Sequence, residues 1–272
     1  MTLALAFAGR VVRLHVQGPR SRALVAFLFG RVPRASDEDT PDEVFDVRDT
    51  ERGIALAVGG VCWFDGPSGE IAGSLLVEEV MHQLMMRSDS GLLLHAAALR
   101  LRGQGVLLPG ESRSGKSTTA AWLASRGWDY LTDELVFLPL GAAAFQPFSR
   151  PIQLRAESRP ALSAAWAPGT VLSGTAFDLV GAPAPAREGP GTSTSPLRLI
   201  VFPRHQQTGG CQVLPLSRAR AGLELMRSLL NARNLPDHGF THVAQVARST
   251  TDVRLIYSEI RDLNGQLEAL LA

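Results

Sequence analysis

The chain has 272 residues, 45% apolar and 19% charged, with a formal net charge of +1 at neutral pH. That balance allows a sizeable core, and it excludes a disordered chain or a strongly basic nucleic-acid binder, so no nucleic-acid partner is expected. No apolar run reaches the roughly 18 residues of a membrane span, and no signal-peptide order opens the chain, so a soluble, cytoplasmic protein without a membrane partner is expected.

Residues 1–90 read as a β-rich region with one amphipathic helix. Strands are predicted over 3–16 and 43–48 from their β-branched and apolar content, and the acidic stretch Ser36 to Glu43 between them reads as a solvated connection. Ile54 to Phe64, with Gly59-Gly60 between two apolar runs, predicts a tight hairpin. From Ile71 to Met86, Leu75, Leu76, Val80, Leu84 and Met85 recur at helical spacing, with Met85 and Met86 read as core filler. Cys62 and Cys211 are isolated, without metal-ligand spacing, and read as two packed thiols in a reducing compartment.

Residues 91–272 form the second expected unit. Gly91 to Arg100 and Gly105 to Pro109 predict two short buried strands, and the second feeds Gly110-Glu-Ser-Arg-Ser-Gly115-Lys116-Ser117. A helix is predicted over Lys116 to Ser125, stopped by Gly127, then a short strand, the pair Asp133-Glu134 and a strand over Leu135 to Leu138. Residues 181–197, rich in Pro, Gly, Ser and Thr, read as a mobile loop, and Leu172-Ser-Gly-Thr as a turn. Beyond it the pattern gives strands at 198–202, 211–216 and 253–257, helices near 217–231 and 239–247, and a last helix.

The octet is a phosphate-binding loop. A glycine loop entering a helix N-terminus presents backbone N–H groups and the positive helix end to one point, which suits a di- or triphosphate. The candidate nucleotide-binding residues are Gly110, Glu111, Ser112, Arg113, Ser114, Gly115, Lys116, Ser117 and Thr118. Lys116 is the only lysine among 27 basic side chains, so lysine is kept where a compact ammonium differs from a guanidinium fork. Its ammonium would reach the β- and γ-phosphates of ATP, and the Ser117 hydroxyl would enter the coordination sphere of Mg²⁺.

Asp133-Glu134 stands 17 residues past Lys116, a distance that returns the chain to the loop. A carboxylate there could hold the metal or accept the proton of an attacking hydroxyl. His95 could approach the phosphates if its strand neighbours the loop strand, and Arg113 and Arg150 are candidates to supplement phosphate charge. A GTPase is excluded because a one-lysine chain has no Asn-Lys-x-Asp, and a transporter-type ATPase because its Asp-Glu lies far later.

The stretch from His95-Ala-Ala-Ala through Gly105 to Thr118 and on to Leu123-Ala-Ser-Arg-Gly-Trp-Asp-Tyr-Leu-Thr-Asp133-Glu134 resembles the catalytic domain of HPr serine kinase/phosphorylase. Phe148-Ser-Arg-Pro-Ile-Gln-Leu is similar to its shorter relatives, which include kinases of ribosomally made peptide precursors. The resemblance implies an α/β fold: a mixed-sheet P-loop kinase core of the HPr kinase and phosphoenolpyruvate carboxykinase type, with a β-rich N-terminal portion. It implies ATP-dependent, Mg²⁺-assisted transfer to a serine of a peptide or protein. Asp133 then takes the base role, Glu134 and Ser117 hold the metal, and His95 and Lys116 flank the phosphates. Glu134 stands where the bacterial regulator has Asp, Thr118 replaces an acidic residue, and the Arg-Gly-Leu-Gly-Ile segment is missing, so neither the phosphorylase reaction nor the hexamer is carried over. The sequence leaves room for a homo-oligomer, a regulatory nucleotide binder or a small-molecule kinase.

Overall fold

The chain opens with β1 (Thr2–Phe7) and β2 (Arg10–Gln17), paired antiparallel across Ala8-Gly9, whose φ values of 53° and 76° suit a tight two-residue turn. The computed structural model describes residues 1–111, 114–155, 171–174, 177–181, 194–263 and 265–271. Between β2 and the acidic connection lies α1 (Pro19–Phe29), in a stretch for which no element was predicted. Pro19 sits at its start, and the buried Ser21, Leu24, Val25, Leu28 and Phe29 fall on one helical face. The helix is required because β3 (Glu43–Asp49) runs parallel to β2, and parallel neighbours need a crossover.

Antiparallel β4 (Ile54–Val58) and β5 (Val61–Gly66) complete a five-stranded sheet in the order β1-β2-β3-β4-β5, turning at Gly59-Gly60 with φ of 55° and 80°. The predicted amphipathic helix is α2 (Gly69–Met86), and the Ser68 side chain caps it by accepting from the Ile71 N–H. Met85 packs against the core, whereas Met86 is exposed and fills nothing. Cys62 is also exposed on the edge strand β5, so only Cys211 is partly packed as expected.

The larger sheet has the order β10-β9-β6-β7-β14-β16-β15, with β8 also paired to β6. Its centre is β6 (Gly91–Leu101), antiparallel to β7 (Gln104–Pro109). Along the other edge of β6 lie β8 (Asp129–Thr132) and β9 (Leu135–Pro139), both antiparallel to it, so they act as one strand interrupted at Asp133-Glu134. The strand β10 (Ala144–Pro147) borders β9, and β14 (Ser195–His205), β16 (Thr251–Tyr257) and β7 run parallel. The edge strand is β15 (Gln212–Pro215).

One face of this sheet packs α3 (Lys116–Ser125), the other α4 (Arg218–Ser228) and α5 (Phe240–Ser249). A small antiparallel sheet of β11 (Ile152–Arg155), β13 (Phe177–Val180) and β12 (Val171–Ser173) contributes Ile152, Leu154 and Val180 to the α3 side. The stretch expected as a turn at Leu172-Ser-Gly therefore belongs in part to β12. In place of the expected last helix stand two short 3₁₀ turns, Ile260–Leu263 and Glu268–Leu271. Of the low-complexity stretch 181–197, residues 182–193 lie outside the described residues, while Ser195 to Leu197 already belong to β14.

The chain is thus mixed α/β, and the two sheets share a core. Phe7 and Phe29 of the first sheet unit meet Phe148 edge-on, and Phe7 also meets Phe137, with centroids 5.3 to 6.4 Å apart. Leu93, Leu135 and Leu179 join the same apolar cluster. Among the described residues no helix is long and apolar enough to cross a membrane.

Candidate functional site

The loop between β7 and α3 lies where the parallel strands β7, β14 and β16 end. Gly115 caps α3 in the left-handed region at φ 96°, and a β-carbon there would lie 2.3 Å from the Tyr257 hydroxyl, so only glycine fits. Tyr257, at the end of β16, exchanges a 3.0 Å hydrogen bond with Thr119 Oγ1, which fastens the first turn of α3 to the sheet. Gly110 also fits closely, since a β-carbon would meet Ser114 Oγ at 2.8 Å.

Lys116 is buried, and its Nζ donates to the carbonyls of Gly110 at 2.8 Å and Glu111 at 3.0 Å, curling back over its own loop. Burial lowers its pKa, while Glu134 and Asp133 oppose that shift, so both carboxylates feel the ammonium. Ser117 and Thr118 are half-buried on the first turn of α3, Ser114 is half-buried, and Glu111 is exposed. Ser112 and Arg113, also assigned to the loop, lie outside the described residues.

The interruption between β8 and β9 brings the acidic pair to the same place. Thr132 faces Ala98 and Leu135 faces His95 across β6, so the two residues between them sit opposite the His95 end of that strand. His95 shares its strand face with Ala97 and Leu99, which pack into the core beneath α3, and its Nε2 is 3.4 Å from Glu134 Oε1. Burial, then Lys116, lowers the His95 pKa against the pull of Glu134 and Asp133, so the ring is neutral at pH 7.

Arg150 binds both acids: Nη2 is 2.8 Å from Glu134 Oε2 and 3.2 Å from Asp133 Oδ1. Burial works against its charge, but the carboxylates outweigh it and raise its pKa. The guanidinium expected to supplement phosphate charge is thereby engaged by the acids, a correction that follows from its full burial beside two carboxylates. Asp133 is 1% exposed; Oδ1 also accepts from the Tyr130 hydroxyl at 3.0 Å, but Oδ2 is buried with no partner among the described residues. A buried acceptor left unsatisfied costs about 1–3 kcal/mol, a cost that a proton or cation at this oxygen would offset.

Glu134 is about one-third exposed and uses one oxygen toward His95 and one toward Arg150. No group of three or more His, Cys, Asp or Glu side chains among the described residues could hold a metal by itself. Magnesium does not need such a cage, because one or two protein oxygens with nucleotide phosphates and water complete its octahedron. Ser117 and the acidic pair fit that sparse donor set.

The predicted residues His95, Gly110, Lys116, Asp133 and Glu134 are therefore brought to one end of the large sheet. Sequence reasoning missed Tyr130 and Tyr257, whose roles depend on a turn and on a strand added 141 residues after Lys116. It also missed a cavity of about 310 Å³ on the α4 side of the loop, lined by Gly110, Glu111, Arg204, Arg220, Arg227 and Arg254 among others. The fold and site together define a mixed-sheet α/β protein in which a glycine loop at a helix N-terminus lies at the same end of the sheet as a buried acid pair. No protein-family model matches the chain, and no curated protein matches it.

Proposed function

We propose that the protein is an ATP-dependent serine kinase-type phosphotransferase acting on a peptide or protein hydroxyl. The observation that carries this reading is Asp133: one oxygen is fixed by Tyr130 and Arg150, and the other is buried, without a partner among the described residues, and within the field of the only lysine. The resemblance of the stretch from His95 to Glu134 to the HPr serine kinase/phosphorylase family, from which the base role of Asp133 is taken, agrees with it.

In this reading the N–H groups of the loop and of the α3 N-terminus cradle the β- and γ-phosphates of ATP. Lys116 exchanges its bonds to the Gly110 and Glu111 carbonyls for phosphate oxygens. Ser117 and Glu134 would hold Mg²⁺, which would supply charge neutralisation to the phosphates when bound. Asp133 Oδ2 takes the proton from the serine hydroxyl as its oxygen bonds to the γ-phosphorus; the bond from that phosphorus to the β–γ bridging oxygen breaks and ADP leaves. Neutral His95 donates a hydrogen bond toward the transferring group without adding charge.

A second reading, a nucleotide-dependent regulatory protein without transfer, is favoured by the engagement of both Glu134 oxygens. Labelled ATP, candidate serine peptides and mass spectrometry separate the two. Asp133→Asn is expected to keep ATP binding and to lose transfer by about 10²–10⁴-fold, the usual worth of a positioned base. Transfer at the wild-type rate by that variant would remove Asp133 from the base role.

A further inference from the structure

The cavity on the α4 side of the loop is a cationic cleft whose charge the kinase reading does not use. Glu224 of α4 lies 3.1 Å from Arg220 one turn earlier, 3.3 Å from Arg227 one turn later, and 2.8 Å from Arg254 of β16. Burial opposes its ionisation, yet these guanidiniums outweigh burial and hold its carboxyl below the ordinary range. Three cations thus converge on one carboxylate, and Arg254 Nε remains buried without a partner among the described residues. Arg204, exposed at the end of β14, adds a fourth guanidinium that makes no ion pair with a described residue. Four guanidiniums stand against two carboxylates, Glu111 and Glu224, around one cleft whose wall includes the first residues of the phosphate loop.

We infer that this cleft seats a carboxylate of the acceptor, either an acidic side chain near the phosphorylated serine or a free chain terminus. The inference rests on the kinase reading for its occupant, but its chemistry stands on the cleft itself. Glu224 already shows that these guanidiniums converge on a carboxylate, each through one nitrogen, and charge-assisted bonds from Arg to a carboxylate are about twice as strong as neutral ones. Purine rings favour apolar and aromatic walls, and charge surplus focused in a cleft steers an anionic partner toward it. The cleft lies on the α4 side of the loop and shares Gly110, Glu111 and Ser114 with it, and the Lys116 ammonium bonds the Gly110 and Glu111 carbonyls in that shared wall. An acceptor carboxylate seated among the arginines of α4 and β16 would hold its serine beside the loop.

The test is fluorescence anisotropy with three labelled serine peptides: one with flanking glutamates and an amidated end, one with glutamines and a free C-terminal carboxylate, and one with glutamines and an amidated end. The full chain is expected to bind at least one carboxylate peptide about tenfold more tightly than the neutral peptide, with the advantage falling at high salt. Whichever carboxylate peptide binds identifies the source. Arg204→Gln and Arg227→Gln, each with a wild-type melting profile, should each remove several-fold of that advantage, as loss of a charge-assisted contact does, and leave ATP affinity unchanged. Equal binding of all three peptides, or an advantage untouched by both variants, would overturn the inference. So would variants that weaken ATP and spare the peptide, which would give the cleft to the nucleotide. Peptide binding needs no transfer, so a chain that selects carboxylates but never phosphorylates would lose the kinase reading and keep the cleft.

Discussion

Asp133 and Glu134 face a single guanidinium, and the site stands or falls with it. Arg150→Met would leave two carboxylates without their counter-charge, one of them fully buried, and removal of one partner from a buried ion pair typically costs about 3–5 kcal/mol. Urea unfolding should register that loss, with Arg150→Lys recovering only part because a compact ammonium does not fill the place of the buried planar guanidinium. At Lys116, arginine preserves charge but brings a planar fork into a loop that fits one ammonium between two carbonyls, so phosphate transfer by Lys116→Arg should fall severely. His95 carries a pH dependence. Its folded pKa lies below the ordinary 6.5, so its contribution to stability is complete above that value and is lost as the pH falls through the lower folded pKa. Melting temperatures measured from pH 7 to 5 should decline less for His95→Gln than for the wild type. The loop and the acid pair were legible because their spacing is local. Arg150 was visible as a candidate, but its partners were not, since the pairing depends on where the interrupted strand kinks.

The elements position these residues through a few close contacts. Gly115→Ala places a β-carbon against the Tyr257 hydroxyl and asks a substituted residue to hold φ 96°, so nucleotide affinity should fall about tenfold or more from a strain of order 1–3 kcal/mol. Adding Tyr257→Phe removes the clashing oxygen but not the backbone strain, and titration with ATP should show only partial rescue. On β16, buried Asp252 accepts from Thr250 Oγ1, and burial pushes its pKa from 3.8 to about 6. Its favourable contribution is present below 3.8 and is lost as the pH rises through about 6. Asp252→Asn should therefore raise the melting temperature above pH 6, by about 2–4 °C if roughly 1 kcal/mol is recovered, and bring no gain near pH 4. Strand and helix patterns were readable wherever one face is buried. Helix α1 was missed although Pro19 and its apolar face were in the sequence, because the run is short and no side-chain cap marks its start. The arginines around Glu224 show the same limit: Arg220 and Arg227 lie at helical spacing, but Arg254 joins them only when β16 packs beside α4.

At the scale of the molecule, the sequence suggested a boundary near residue 90, and the shared aromatic core crosses it. Phe148 touches Phe7 and Phe29, so Phe148→Ala should cost about 3–5 kcal/mol and lower the stability of both sheets together in one unfolding transition. A separate, unshifted transition for either sheet would contradict that coupling. The division was suggested by composition, whereas the coupling depends on long-range packing that no local pattern encodes. That shared core also holds the acid pair rigidly, because Leu135 and Phe137, just after Glu134, are packed against the N-terminal unit. Every proposed step requires the loop to bind a nucleoside triphosphate with Lys116 against its phosphates. Calorimetric titration of Mg²⁺-ATP into the wild type and into Lys116→Ala tests it most directly. Saturable binding by the wild type, weakened about tenfold to a hundredfold by loss of one charged hydrogen-bond donor, is the predicted result; no binding by the wild type, or equal binding by both, would contradict it.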